Sequence, residues 1–248
     1  MLAFPAKPGA AMSIFVLVHG AWHGGWCWEK VAPLLQAGGH TVNALDLPGH
    51  GADKTPLAEL TLDSYVDMVC KFVEAQPEPV ILVGHSMGGI VISQAAERLP
   101  DRIRTLVYLC AFLLQDGQSL FQVSRSRGES IITRNLTIIE NGMAMVVAPE
   151  AVREAFYEDC SNEDASKAIS RLVPEPLAPS STPIKVSAEG FGSVRRVYIE
   201  TLEDKALVPA LQREMYLATP CEKVISMKTS HSPFYSAPQD LASHLLSL

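Results

Sequence analysis

Residues 79–89 read PVILVGHSMGG and join a short apolar run to a glycine-rich turn. The run at 79–83 is continuous and rich in β-branched side chains, which predicts a strand buried on both faces. GHSMG at 84–88 follows at once, and helical spacing over 87–99 begins directly behind it. Glycines here let the backbone turn sharply, so that the Ser86 hydroxyl projects above the end of the strand. The context favours a nucleophile elbow over a glycine-rich turn with an inert serine.

Similar apolar runs recur along the chain, and segments with helical spacing separate them. The other predicted strands are 13–18, 41–47, 104–112, 195–201 and 223–229. The other predicted helices of this alternation are 26–36, 61–75, 209–217 and 238–248. Strands that alternate with helices imply right-handed crossovers and a mostly parallel sheet that is covered on both sides. The sequence therefore predicts an α/β fold with a doubly wound sheet.

The alternation lapses over 113–194, between two predicted core strands. This span contains a predicted hairpin at 137–147, which turns at Asn141-Gly142, and two polar helices at 149–160 and 162–172. A stretch rich in proline and serine follows them. An insertion of this length behind one core strand is large enough to form a lid over the edge of the sheet.

The length of 248 residues, with 48% hydrophobic and 19% charged residues, is typical of one compact domain with a substantial core. We predict a single domain over 1–248, with a core at about 12–112 and 195–248 and the lid at about 113–194. Residues 1–11 form a loose leader without an apolar block of signal-peptide length, and Met12 is an alternative start.

The net charge of −7, from 20 basic and 27 acidic residues without a basic block, disfavours nucleic acid as a partner. The longest apolar run, 105–114, is about half the length that a membrane span needs. Five scattered cysteines without C-x-x-C spacing indicate reduced thiols rather than a disulfide framework. These features predict a cytoplasmic protein, a monomer or a homodimer, that acts on a small molecule.

A serine hydroxyl is a weak nucleophile until a base takes its proton, so a histidine is required elsewhere in the fold. Of the seven histidines, His231 alone lies in a loop after the last predicted strand. The chain order serine, acid, histidine is the order that this type of sheet uses. We therefore predict His231 as the base.

The acid is expected between these two residues, at the end of a strand. Asp204 ends the segment RRVYIETLED and precedes a proline that starts a helix, which favours it. Asp116, just past the strand that ends at 112, remains an alternative. Glu200 and Glu203 fit less well, because they lie within the strand or one position away.

An oxyanion requires two fixed backbone donors. One predicted donor is the amide of Met87, at the start of its helix. The other is expected in the loop after the first strand, HGA at 19–21, with Ala21 as the donor.

The same loop contains His19, His23 and Cys27 at intervals of four residues, a spacing that superficially suggests a metal site. The loop is broken by glycines and no carboxylate follows at ligand spacing, so we expect no metal there. The sequence also lacks the phosphate-binding and dinucleotide-binding glycine motifs. No cofactor is predicted.

Five segments carry a resemblance that spans nearly the whole chain after Met12 and is weakest at 116–190. They are FVLVHGAWHGGWCW, ALDLPGHG, ILVGHSMGG, FGSVRRVYIETLEDKAL and SHSPFYSAPQDLASHLL. Together they resemble the α/β-hydrolase family of plant methylesterases, hydroxynitrile lyases and small bacterial carboxylesterases, including pyrethroid-hydrolysing types. The resemblance implies the α/β-hydrolase fold. It also implies Ser86, Asp204 and His231 as a catalytic triad and Ala21 and Met87 as oxyanion donors, in agreement with the residue-level interpretation.

Two positions depart from the hydroxynitrile lyases, which place a lysine just after the catalytic histidine and a threonine in the first loop. Here these positions are Ser232 and Gly20. Without the cation, departing cyanide loses its electrostatic partner, whereas ester hydrolysis loses nothing.

The sequence therefore predicts a serine carboxylesterase that hydrolyses hydrophobic esters through an acyl-serine intermediate. We expect its pocket between the sheet edge and the lid, beside Gly20 and lined by Trp22, Phe112 and Phe121. Three alternatives remain open: a lyase of the hydroxynitrile type, a cofactor-free oxygenase of the same fold, and a receptor that binds a small apolar ligand without turnover.

Overall fold

The computed structural model describes residues 12–126 and 130–248. Nine strands lie in these two ranges, numbered in chain order. They are β1 (Ile14–Val18), β2 (Thr41–Leu45), β3 (Val80–His85), β4 (Ile103–Leu109), β5 (Leu136–Ile139), β6 (Ala144–Val147), β7 (Glu175–Pro176), β8 (Arg196–Thr201) and β9 (Lys223–Met227). Six of them form the central sheet, in the order β2-β1-β3-β4-β8-β9.

Every neighbouring pair in the central sheet is parallel, which confirms the predicted α/β class with its mostly parallel sheet. All residues of β1 and β3 are buried, as expected for inner strands that are covered by helices on both faces. The edge strand β9 alternates between exposed and buried residues over most of its length. The carboxyl ends of all six strands meet at one edge of the sheet, because the strands run in the same direction.

Eleven α-helices lie in the described residues. They are α1 (Ala32–Ala37), α2 (Leu62–Glu74), α3 (Gly88–Arg98), α4 (Leu120–Ser126), α5 (Ile131–Arg134), α6 (Pro149–Phe156), α7 (Asn162–Ile169), α8 (Leu177–Ser181), α9 (Pro209–Ala218), α10 (Pro233–Ser236) and α11 (Pro238–Leu246). The predicted helices at 61–75, 87–99, 209–217 and 238–248 are confirmed as α2, α3, α9 and α11. The start of α2 is set by a capping box, in which Thr61 and Ser64 each accept the backbone amide of the other at 3.0 Å.

The helix predicted at 26–36 is wrong in its extent. The chain forms a short 3₁₀ turn at Gly25–Trp28, and α1 begins only at Ala32. Pro33 explains this start, because a proline fits the first turn of a helix but blocks its continuation from the residues before it.

The predicted hairpin of the lid is confirmed, since β5 and β6 pair antiparallel with Ile138 opposite Met145. The predicted helices at 149–160 and 162–172 form but end earlier, as α6 and α7. The sequence did not predict α4, α5 or α8, nor the two-residue strand β7, which pairs with β6. These elements are too short for hydrophobic periodicity to indicate them.

All five cysteines are free, and four of them are buried. Among the described residues, no helix combines the length and the apolar character that crossing a lipid bilayer demands. The predicted leader at 1–11 lies outside the described residues.

Candidate active site

Ser86 occupies the tight turn between β3 and α3 with a φ of 52°. This left-handed conformation is unfavourable for a residue with a side chain and persists where the surroundings impose it. The Ser86 amide donates to the Leu109 carbonyl at 3.2 Å, and its own carbonyl accepts from the Phe112 amide at 3.0 Å. Strand β4 and the residues after it therefore hold the turn that presents the hydroxyl.

The glycines of the turn permit close backbone contacts. A Cβ on Gly88 would lie 2.7 Å from the His19 carbonyl oxygen, and one on Gly89 would lie 2.3 Å from the Phe112 carbonyl oxygen. Neither glycine has a positive φ. The unusual dihedral angle thus belongs to the serine, whereas the glycines let α3 pack directly on the ends of β1 and β4.

Asp204 and His231 come from the loops after β8 and β9, which are neighbours in the sheet. His231 Nδ1 donates to Asp204 Oδ2 at 2.8 Å, and both side chains are buried. The other oxygen, Oδ1, accepts from the backbone amides of Ala206 and Leu207. Thr201 Oγ1 donates to Oδ2 at 2.9 Å. The carboxylate is therefore fixed on all sides, and it fixes the imidazole ring in turn.

The alternative acids lie elsewhere. Asp116 Oδ1 accepts from the Val186 amide at 3.0 Å, within the lid. Glu200 accepts from the side chains of Arg213 and Ser226. Of the acids considered from the sequence, Asp204 is the one hydrogen-bonded to His231.

Ser86 and His231 both line one cavity. No hydrogen bond joins Ser86 Oγ to His231 Nε2 within the described part of the chain. The contact between nucleophile and base of a serine hydrolase is often longer before substrate binds. Both functional groups therefore face the same cavity.

His85, beside Ser86 in sequence, contacts His231. Its ring lies 4.7 Å from the ring of His231, and its Nε2 donates to the His231 carbonyl at 2.9 Å. Burial lowers the pKa of His85 well below its usual value, and nearby His231 and His23 add to this effect. The ring is therefore neutral and donates one hydrogen bond. Sequence reasoning missed this contact, because it joins residues 146 positions apart.

The two predicted oxyanion donors both face the same cavity. In the part of the chain that the structure describes, the amides of Ala21 and Met87 have no hydrogen-bond acceptor. The next amide, that of Trp22, donates to Glu175 Oε2 at 2.8 Å instead. Buried amides are almost always paired, so two unpaired amides beside a half-buried serine are suited to hold a developing negative charge.

The sequence profile of the alpha/beta hydrolase family matches residues 15–244 of this chain. The chain belongs to the alpha/beta hydrolase family. This membership confirms the predicted resemblance and the predicted α/β-hydrolase fold.

Curated relatives of this alpha/beta hydrolase include plant methylesterases. Methylesterase 1 of Arabidopsis thaliana is 34% identical over 249 residues, which cover 94% of this chain and 95% of the relative. Putative methylesterase 11, chloroplastic, of Arabidopsis thaliana is 36% identical over 246 residues. That match covers 94% of this chain, and the chain spans 63% of the relative's length.

Two solved structures show the likeness in three dimensions. A pyrethroid hydrolase from Sphingobium faniae JZ-2 superposes with a TM-score of 0.86 at 30% identity, over 96% of this chain and 97% of the other. Polyneuridine aldehyde esterase superposes with a TM-score of 0.88 at 30% identity, over 96% of this chain and 99% of the other.

The cavity of this alpha/beta hydrolase has a volume of about 450 Å³ and lies between the sheet edge and the lid. Its lining includes Trp22, Phe112 and Phe121, which are three of the residues named for the pocket in the sequence. Gly20 does not line it: a Cβ there would lie 2.8 Å from Ser86 Cβ, so this residue packs directly against Ser86. The sequence did not predict the apolar lid residues of the wall, which are Leu120, Leu136, Ile138, Met145 and Phe156.

The histidines of the first loop form hydrogen bonds with both ring nitrogens. His19 Nδ1 donates to the Gly20 carbonyl at 2.8 Å, and its Nε2 accepts from the Leu47 amide at 3.0 Å. His23 Nδ1 donates to the Ala21 carbonyl at 2.7 Å, and its Nε2 accepts from the Tyr157 hydroxyl at 2.8 Å. Neither ring offers a free lone pair to a metal.

One group of three potential metal ligands exists among the described residues: His85, Cys110 and His231. The Cys110 thiol is buried, and burial raises its pKa well above the usual value. His85 Nε2 and His231 Nδ1 are already engaged with the His231 carbonyl and with Asp204. Hydrogen bonding therefore accounts for these histidines.

Proposed function

We propose that this protein is a serine carboxylesterase that hydrolyses hydrophobic carboxylic esters through an acyl-serine intermediate. The observation that carries the proposal is the composition of one cavity edge. A serine with a φ of 52°, a histidine bound to a buried aspartate and two amides that find no acceptor among the described residues all face the same space. These are the groups that acyl transfer requires.

In the first step, His231 Nε2 accepts the proton of the Ser86 hydroxyl while Ser86 Oγ forms a bond to the ester carbonyl carbon. The amides of Ala21 and Met87 donate to the resulting oxyanion. The bond to the alcohol oxygen then breaks, and the alcohol leaves with the proton from Nε2. Asp204 stabilises the imidazolium that forms between these events.

In the second step, water attacks the acyl carbon while His231 Nε2 takes one of its protons. The bond to Ser86 Oγ breaks, and the proton returns to the serine. The carboxylic acid leaves, and the free enzyme is restored. Both steps use side chains and backbone amides of this chain, so the proposed reaction requires no cofactor.

The walls of the cavity support a hydrophobic substrate. Most of the described lining residues are aromatic or aliphatic, none is acidic, and the two charged ones are Arg125 and Arg134 of the lid. The names of two relatives, methylesterase and polyneuridine aldehyde esterase, describe enzymes that act on esters. We therefore infer an ester with a bulky apolar acyl group as the substrate class.

The residue after the base favours ester hydrolysis over a lyase reaction. Ser232 is completely buried, and its hydroxyl has no hydrogen-bond partner within the described residues. This position therefore supplies no cation to a departing cyanide.

The proposal is tested with p-nitrophenyl acetate. The wild-type protein should release a burst of p-nitrophenol equal to the enzyme concentration, because this activated ester acylates Ser86 faster than water hydrolyses the acyl-enzyme. Ser86→Ala should abolish the burst, and Ser170→Ala, at an exposed serine of the lid, should retain it. A wild-type protein that hydrolyses no ester but releases cyanide from a cyanohydrin would contradict the proposal in favour of a lyase. Tight binding of an ester without product over hours would favour a receptor.

We also infer a cytoplasmic protein that is a monomer or a homodimer. The free thiols of all five cysteines support a reducing compartment. Size-exclusion chromatography with light scattering distinguishes the two oligomeric states.

A further inference from the structure

Trp22 follows the predicted oxyanion donor Ala21, and its backbone has a φ of 64°. All three of its polar groups are bound to the lid. The amide donates to Glu175 Oε2 at 2.8 Å, and the indole Nε1 donates to the Met145 carbonyl at 3.0 Å. Its carbonyl accepts from the Val173 amide at 3.1 Å. The lid thus holds Trp22, with its left-handed backbone conformation, next to Ser86.

The peptide unit between Ala21 and Trp22 is fixed at both ends. The Ala21 carbonyl accepts from His23 Nδ1 at 2.7 Å, and the Trp22 amide donates to Glu175. The preceding peptide unit carries the Ala21 amide, and its Gly20 carbonyl accepts from His19 Nδ1 at 2.8 Å. Two successive peptide planes are therefore oriented by side chains, which sets the direction of the Ala21 N–H.

Glu175 lies in β7 of the lid and is completely buried. Besides the Trp22 amide, its Oε2 accepts from His50 Nε2 at 2.9 Å. Its Oε1 has a long contact of 3.5 Å with the Tyr65 hydroxyl. A carboxylate without water must find its partners within the protein, and these partners come from three separate core segments.

His50 carries the balancing charge. Its Nδ1 faces the Pro48 carbonyl at 3.1 Å while its Nε2 faces Glu175, so both nitrogens lie against acceptors. Two acceptors require two N–H donors, which describes the imidazolium form. The buried carboxylate is therefore paired, and its charge does not act alone beside the oxyanion hole.

We infer that Glu175 is a positioning residue for the oxyanion hole: through the Trp22 amide it holds the loop that aims the Ala21 N–H at the reacting oxygen. The inference rests on the proposed esterase function and assigns a second task to the lid. Besides forming the cavity wall, the lid fixes the orientation of the loop that carries the Ala21 amide. Loss of the Glu175 carboxylate would leave the buried Trp22 amide without an acceptor and would release the strained backbone of Trp22.

The test compares Glu175→Leu with Glu175→Gln. Leucine cannot accept a hydrogen bond, so kcat should fall about 100-fold, the effect of misplacing a catalytic group by about 1 Å. Because ground-state binding is unaffected, KM should stay within about three-fold of the wild type. Glutamine retains an acceptor oxygen for Trp22 and His50, so it should restore kcat to within about three-fold of the wild type.

The affinity for a transition-state analogue distinguishes a positioning role from a merely structural one, because a merely structural role would leave this affinity unchanged. A trifluoromethyl ketone forms a hemiketal oxyanion with the serine, so its affinity should fall by the same factor as kcat/KM in Glu175→Leu. The matched control is Asp164→Asn, which removes the 2.7 Å ion pair between the lid and Lys30 without touching the first loop. This control should keep kcat and inhibitor affinity.

The inference is overturned if Glu175→Leu keeps its kcat, or if Asp164→Asn loses as much as Glu175→Leu. Should Glu175→Leu fail to fold, Glu175→Asp decides. It keeps the charge but withdraws the carboxylate from Trp22, so its kcat should fall, and an unchanged kcat overturns the inference. A wild-type protein that hydrolyses no ester would instead refute the proposed function, which separates the two failures.

Discussion

A network of hydrogen bonds holds the carboxylate of Asp204 beside His231. Its carboxylate accepts from two backbone amides, from Thr201 Oγ1 and from Gln212 Nε2, and this network leaves Oδ2 aimed at His231 Nδ1. The network fixes the position of the oxygen, while the negative charge fixes the tautomer of the imidazole. A substitution that keeps the shape of the Asp204 side chain but removes its charge therefore distinguishes the effect of the charge from that of the position.

We expect Asp204→Asn to lower kcat by about 10³- to 10⁴-fold, because an amide that presents its NH₂ group favours the wrong tautomer of His231. The unfolding midpoint should change little, since asparagine is isosteric with aspartate. Steady-state hydrolysis of p-nitrophenyl acetate and thermal unfolding measure the two effects.

Asp116→Asn is the matched control, because Asp116 is the acid that the sequence left as an alternative. It binds the Val186 amide within the lid, so the variant should keep wild-type kcat. Loss of activity in Asp116→Asn with retention in Asp204→Asn would reverse the assignment.

At the scale of elements, the lid hairpin supplies one wall of the cavity. Side chains two positions apart on a strand point to the same face, which places Leu136 and Ile138 together on β5. Met145 lies opposite Ile138 on β6. All three side chains line the cavity, and Ile138 is 51% exposed. The hairpin thus presents apolar surface to a ligand.

Replacing Ile138 with aspartate should weaken the binding of long acyl chains. We expect KM for p-nitrophenyl octanoate to rise about ten-fold, the effect of losing the burial of about two methylene groups, with a smaller change for p-nitrophenyl acetate. The ratio of kcat/KM for the two esters measures this selectivity.

Ile169→Asp provides the control, because Ile169 is a lid isoleucine of α7 that is 37% exposed and does not line the cavity. The octanoate-to-acetate ratio should be unchanged in this variant. An equal fall in both variants would show that lid stability, rather than contact with the acyl chain, sets the selectivity.

For the whole molecule, buried histidines govern how stability depends on pH. Burial lowers the pKa of His23 to about 3 and lowers the pKa values of His19 and His85 well below 6.5. Burial also acts to lower the pKa of His50, but the charge of Glu175 and the hydrogen bonds to it outweigh this effect and raise it above 6.5. Other ionisable side chains near His50 are Asp46, Tyr65 and His19, and the charge of Asp46 also raises the pKa of His50. The two classes of histidine affect stability in opposite directions.

Below about pH 6.5, the unfolded chain binds protons at His19, His23 and His85 that the folded protein does not bind. Each of the three should therefore lower the free energy of unfolding by up to about 1.4 kcal/mol per pH unit of acidification. His50 behaves oppositely: its contribution is complete below about 6.5 and is lost as the pH rises through its folded pKa. Stability should be highest near pH 6.5, as measured by urea denaturation from pH 5 to 8.

One variant assigns the slope above pH 6.5: His50→Gln should remove this decline. A free energy of unfolding that stays constant from pH 6.5 to 5 would mean that the buried rings are protonated in the folded protein, contrary to their hydrogen bonds.

The amino-acid sequence alone predicted the parallel sheet, an elbow at Ser86 and the preference for His231 and Asp204 over their competitors. These features depend on local signals: a buried strand, glycines that admit close backbone contacts, and the chain order of residues at strand ends. The same local signals led to a wrong extent for the helix at 26–36, because the effect of Pro33 on its start was not considered. They also did not indicate the shortest elements of the lid.

The tertiary structure alone decided which side chains the lid brings to the site. Glu175 meets the Trp22 amide across 153 positions of sequence, and His50 across 125. No periodicity or motif marks a lone glutamate in a proline-rich segment as a partner of the oxyanion loop. Its role follows from burial, since a carboxylate removed from water is placed by the donors that it finds in space.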